Sequence, residues 1–143
     1  MGLLGQLFGG GKPQHPPLEP SSDAANRLAP FAGQLQALAG QVRDNIEAVP
    51  ERDALYVFVG RPPKEFGVVR YRADREENLI QLMRQRQLSP TRIQEVSDQA
   101  RAAYVAEQQA PRFTHQAGKR ALPVIDSEAL GRKLDEVFEA AMN

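Results

Sequence analysis

The chain has no cysteine and no tryptophan, only two histidines, and no surplus charge, because 18 basic residues are matched by 18 acidic ones. Each absence excludes something. Without cysteine there are no disulfides, thiolate metal sites or thiol nucleophiles, and the redox state of the compartment stays open. A formal net charge of zero means that no global field draws the chain to nucleic acid or to an anionic membrane, so any attraction must come from local patches. No apolar stretch approaches the ~20 residues that cross a bilayer. Residues 3–8 are short, interrupted by Gly5 and Gln6 and not preceded by Lys or Arg, so they lack the form of a secretory leader, and a cytoplasmic protein is expected.

What is present supports one domain of roughly 90–120 residues. Its nucleus is the only dense block of β-branched and aromatic residues, Leu55, Tyr56, Val57, Phe58 and Val59, which a Gly/Pro loop separates from Val68, Val69, Arg70, Tyr71 and Arg72. That is the signature of a β-hairpin at about 55–72. A second hairpin is expected at about 112–125, with Gly118 at the turn position that needs positive φ. Pro123 cannot donate to a ladder, which predicts that its strand lies at an edge or ends early.

Helices are predicted at about 23–49, 75–87, 90–109 and 127–142. Ser21, Ser22 and Asp23 offer caps for the first and Pro50 ends it. Asp74 with Glu77 resembles a capping arrangement for the second. Ser89 and Pro90 suit the N-cap and first position of the third, and Asp126 and Ser127 cap the last, whose stripe is Leu130, Leu134, Val137, Phe138 and Ala141. The expected class is α+β, with two antiparallel hairpins in a small sheet and helices on one face of it.

Residues 1–22 carry Gly9, Gly10 and Gly11 and then Pro13, Pro16, Pro17 and Pro20, which predicts a flexible tail ahead of a single α+β domain over 23–143. Leu3, Leu4, Leu7 and Phe8 would form a short apolar plug on that tether, suited to docking on a partner or a membrane surface. In the first helix, Leu28, Phe31, Leu35, Leu38, Val42, Asn45 and Val49 are spaced 3-4-3-4-3-4. Such a seam could make a homodimer through residues 24–49, or could lie on the chain's own sheet.

Catalytic constellations are nearly absent. A histidine base would have to be His115, with Tyr71 or Arg72 nearby, and the serines are explained as caps, tail or mid-helix positions. No spacing of carboxylates suggests a metal or an acid/base pair, and no glycine-rich phosphate loop follows a strand, so neither metal nor cofactor is expected.

The charge is segregated. Over 55–75 the basic residues Arg61, Lys64, Arg70, Arg72 and Arg75 meet only Glu65 and Asp74; over 110–123 Arg112, Lys119 and Arg120 meet no acid. Alternation would set Arg70 and Arg72 on one side of the sheet, so Arg61, Arg70, Arg72, Arg112 and Arg120 become candidates for contacting an anion or a partner. Residues 78–96, with Arg84, Arg86 and Arg92 near a turn, resemble the first two helices of a repressor-type helix-turn-helix over the pair 75–109, which implies DNA binding. The turn has no glycine, and Glu95, Asp98 and Glu107 oppose phosphate. The Arg excess over Lys fits a bacterial coding sequence. Together these features predict a non-enzymatic accessory module that docks on a protein partner or on itself, with anion or nucleic-acid binding through arginines as the alternative.

Overall fold

The computed structural model describes residues 15–142. In chain order the elements are α1 (Asp23–Leu28), a 3-10 turn (Ala29–Phe31), α2 (Ala32–Gln41), β1 (Ile46–Pro50), β2 (Leu55–Arg61), β3 (Glu65–Arg72) and β4 (Arg75–Asn78). They continue with α3 (Leu79–Gln85), α4 (Pro90–Ala106), β5 (Arg112–Ala117), β6 (Arg120–Ile125) and α5 (Glu128–Met142). The class is α+β. Both hairpins form, but within a six-stranded mixed sheet of order β4-β3-β2-β1-β6-β5. Among the six strands β1 and β6 alone run parallel, and Pro17 makes a further parallel bridge to Thr114 of β5.

Helices cover both faces of this sheet rather than one. On one face Leu28, Phe31, Leu35 and Leu38 from α1, the 3-10 turn and α2 meet Leu55 and Val57; on the other Met83, Val96, Ala100, Leu130, Leu134 and Phe138 from α3, α4 and α5 meet Tyr56 and Phe58. A central strand buried on both faces needs apolar residues at every position, which is why Leu55–Val59 reads as a continuous run rather than an alternation. Phe58 is fully buried, its ring 5.0 Å from Tyr104 and 5.5 Å from Phe66.

Two helix boundaries and the place of one strand differ most from expectation. The first helix stops at Gln41, and Ile46–Pro50, expected within helix 23–49, is strand β1. The heptad spacing ran on through Asn45 and Val49 by coincidence: four of the five residues of β1 are buried between β2 and β6, a slot only an extended segment can fill. The seam Leu28, Phe31, Leu35 and Leu38 packs on the chain's own sheet, the second of the two arrangements its spacing allowed. The second helix begins at Leu79, not 75. Ala73 and Asp74 make a two-residue turn, residues 75–78 return as β4, and the cap is Asn78, whose side chain accepts from the N–H groups of Ile80 (3.1 Å) and Gln81 (3.2 Å). Finally, β6 lies inside the sheet despite Pro123.

The other caps are as expected. Ser89 accepts from Arg92 N–H at 3.1 Å with Pro90 in the first turn, and Ser127 accepts from Leu130 N–H at 3.0 Å. Gly118 turns the second hairpin at φ 63°. Residues 15–18, within the segment expected to be flexible, lie along β5: Thr114 N–H donates to Pro16 C=O (2.7 Å) and Leu18 N–H to Thr114 C=O (2.9 Å). The apolar plug Leu3, Leu4, Leu7 and Phe8 lies outside the described residues.

Candidate functional site

The five arginines singled out by charge do not share one face, because the sheet has no bare face. They separate to its two ends. Arg70 is 4 % exposed, with Nε and Nη2 at 2.9 and 2.8 Å from Glu77 Oε1 and its guanidinium 4.6 Å over the Phe138 ring. Arg72 Nε stands 3.9 Å from the same carboxylate. Both border a cleft of about 630 Å³ at the C-terminal ends of β1 and β3, where Arg27, Arg52 and Arg132 are balanced by Glu51, Asp53, Glu128, Asp135 and Glu139. Beneath it the Tyr56 hydroxyl donates to Asp135, and burial together with that carboxylate pushes the phenol above its ordinary range. Arginine and acid are matched here, so this end is a structural charge network.

Arg61, Arg112 and Arg120 line a second cleft, of about 780 Å³. Arg112, opposite Ile125 at the end of β6, belongs to the sheet face that carries α4, and Arg120, at the start of β6 in step with Leu122 and Val124, to the face that carries α2, so the two flank the gap from either side. The origin of the cleft is Pro123. The β1–β6 ladder is anchored at Ala48↔Val124 alone. Extended toward the strand starts, a parallel ladder would have the Ile46 carbonyl accept from residue 123, and Pro123 has no N–H to give. The strands part there and the cleft opens between them. Arg112 is held on one wall: Nε is 3.4 Å from Glu47 Oε1, Nη1 donates to the carbonyls of Gln108 (2.9 Å) and Ala110 (3.1 Å), and the guanidinium lies 5.8 Å from the Tyr104 ring. Tyr104 donates to Glu47 Oε2 at 2.7 Å, and its phenol pKa is raised to about 12 by burial first and by that carboxylate second.

Arg120 holds the other wall. Nη1 donates to the carbonyls of Ala39 (3.0 Å) and Val42 (2.7 Å), and Nη2 to Asp44 C=O (2.8 Å), so it closes the C-terminus of α2, where a cation also complements the helix dipole. Arg61, at the end of β2, is exposed; Glu65 lies opposite it in the β2–β3 register, yet among the described residues no ion pair holds it.

A third feature was not legible beforehand. β4 pairs with β3 only from Val69 to Arg72, leaving residues 65–68 without a strand neighbour on that side. Gly60 N–H bonds to Asn45 C=O, toward β1, so the facing pair Gly60↔Phe66 exchanges no hydrogen bonds and the N–H and C=O of Phe66 point outward. Beside this edge runs a groove of about 350 Å³ whose apolar lining is Phe66, Val68, Leu79, Ile80, Met83 and Ala100. Ile80 is 41 % exposed. Arg101 braces the rim, donating to Pro63 C=O at 2.7 Å and to Asp98 Oδ1 at 2.6 Å. Nothing in the sequence marked it, because Arg75–Asn78 lack strand propensity and β4 itself was not legible.

His115 is half-buried on β5 opposite Leu122, and desolvation lowers its pKa. Tyr71 and Arg72, expected near it, are on β3, with β6, β1 and β2 in between. In the pair resembling a helix-turn-helix, α4 turns Val96, Ala100, Ala103 and Tyr104 into the core, and Arg92 is held by Glu95 (3.1 Å) and Ala140 C=O (3.2 Å). Among the described residues no group of His, Asp and Glu is placed to hold a metal ion, and no helix is long and apolar enough to cross a membrane. Compared with known proteins, the chain matches no family model, and no curated protein or solved structure aligns with it.

Proposed function

We propose that this chain is a cytoplasmic, non-enzymatic accessory module that docks an extended segment of a protein partner by strand addition to β3. The observation that carries the reading is the edge of β3 at residues 65–67, which no strand covers, beside the apolar groove of Phe66 and Ile80, with buried Val68 and Met83 as its floor. An added strand takes its affinity from main-chain hydrogen bonds and its specificity from side chains seated in the neighbouring pocket. A partner peptide suits this surface better than a second copy. Two copies meeting at so short an edge would bury far less than the ~1,200 Å² of a stable interface.

The test begins with peptides selected from a displayed random library on the full chain. Bound peptides should slow amide exchange at Phe66, and Ile80→Lys, at an exposed position, should weaken them by about tenfold, or ~1.4 kcal/mol. Selected peptides that protect other amides, or that ignore Ile80→Lys, would remove the proposal. A light-scattering mass of twice 15.8 kDa that persists on dilution would replace it with self-association.

A further inference from the structure

The cleft between β1 and β6 is independent of the peptide groove and has its own chemistry. Three arginines enter it, and one acid, Glu47, opposes them. Glu47 is already engaged by Tyr104 and Arg112. A guanidinium has five N–H donors. Arg112 spends three, through Nε and both Nη1 hydrogens, and keeps the two on Nη2. Arg120 also spends three, through both Nη1 hydrogens and one on Nη2, and keeps Nε–H and one Nη2–H. Both guanidinium planes are therefore fixed before any ligand arrives, which lowers the ordering cost of a contact. Among the described residues nothing engages the Arg61 side chain, which stands exposed at the mouth.

We infer that this cleft binds a small multivalent oxyanion, phosphate or polycarboxylate, with Arg61 as the capturing charge and Arg112 and Arg120 as preset walls. A guanidinium fork matches such groups in two-point contacts. The size fits: about 780 Å³ lies within the range of small-ligand sites. A nucleic-acid strand is the poorer fit, because it needs a continuous basic track, and the remaining candidates Arg70 and Arg72 are at the far end of the sheet, neutralised by Glu77.

The experiment is an NMR titration of the full-length chain with pyrophosphate at constant ionic strength, with sodium chloride as the reference and citrate as a second arm. Saturable shifts are expected at Tyr104 and at the Nε–H groups of Arg61, Arg112 and Arg120. Arg61→Gln should weaken binding by about tenfold, the loss of one charge-assisted two-point contact, while Arg72→Gln leaves it unchanged. Pyrophosphate binding tighter than citrate assigns the site to phosphates, and the reverse order to carboxylates. Absence of saturation by either ion, shifts confined to the Arg72 end, an affinity untouched by Arg61→Gln, or binding of an oligonucleotide but of neither small ion would each overturn the inference.

Discussion

Replacing Arg70 by Met tests whether this arginine is a structural contact. Arg70 is 4 % exposed, bonds Glu77 at 2.9 and 2.8 Å and covers the face of Phe138. Breaking a buried pair from one side typically costs ~3–5 kcal/mol, chiefly because the surviving charge is left without a partner. Two features reduce that here. The Glu77 side chain keeps 14 % exposure, and Arg72 Nε at 3.9 Å supplies a second cation. Methionine also restores most of the volume and a sulfur–aromatic contact with Phe138, of order ~0.3–1.5 kcal/mol. The expected loss is therefore about 2–3 kcal/mol, or a fall in Tm of about 6–12 °C for a domain of this size. Urea denaturation of the single variants and of Arg70→Met/Glu77→Gln gives the full cycle. The double variant should be more stable than Arg70→Met alone, with a coupling of at least ~1 kcal/mol. A single-variant loss below about 0.5 kcal/mol, or strict additivity, would refute the claim that this pair is a sealed structural contact.

At the other end of the sheet, Arg120→Met removes three charge-assisted bonds to the carbonyls that close α2; about 1.5–3 kcal/mol should be lost in denaturant titrations, with early exchange at the end of that helix. His115 has its folded-state pKa depressed by burial, so the unfolded chain binds the proton first as pH falls. Its share of stability is then fully present above the unfolded pKa of about 6.5 and is lost as pH falls toward the folded value. The Tm difference between pH 7.5 and pH 5.5 should shrink in His115→Gln, and an unchanged difference would show that the imidazole is solvated.

Much of the fold was legible because local and global preferences agree. Leu55–Val59 and Val68–Tyr71 are strands by composition, and Ser89, Pro90 and Ser127 cap helices that their neighbours would form anyway. The misreadings fall where they conflict. Val42, Asn45 and Val49 continue a helical spacing, and only the shortage of strands for a six-stranded sheet overrides it. Arg75, Glu76, Glu77 and Asn78 have no strand propensity, and β4 exists because a two-residue turn holds it against β3, with Glu77 facing Arg70. The arginine excess was visible locally, but local excess carries no information on which end of the sheet a residue reaches. Arg70 and Arg72 follow Tyr71 to one end, while Arg61 and Arg120, at opposite termini of β2 and β6, converge at the other.

That convergence depends on a residue whose effect was half read. Pro123 was expected to push β6 to an edge because it cannot donate to a ladder. The sheet instead keeps β6 inside and confines the missing bond to one position, anchoring the pair at Ala48↔Val124 and letting the strand starts diverge. An interior proline of this kind costs a ladder bond, and it also prevents the main chains from closing the space that Arg61, Arg112 and Arg120 line. At the charge-balanced end β3 and β4 pair through to their turn, and the buried Arg70 has the Glu77 carboxylate beside it. If the proposed oxyanion site holds, stability and binding draw on different arginines of one sheet. A change that lowers Tm at the Arg70 end should therefore leave oxyanion affinity at the Arg61 end unaltered, as expected for sites with no shared partner.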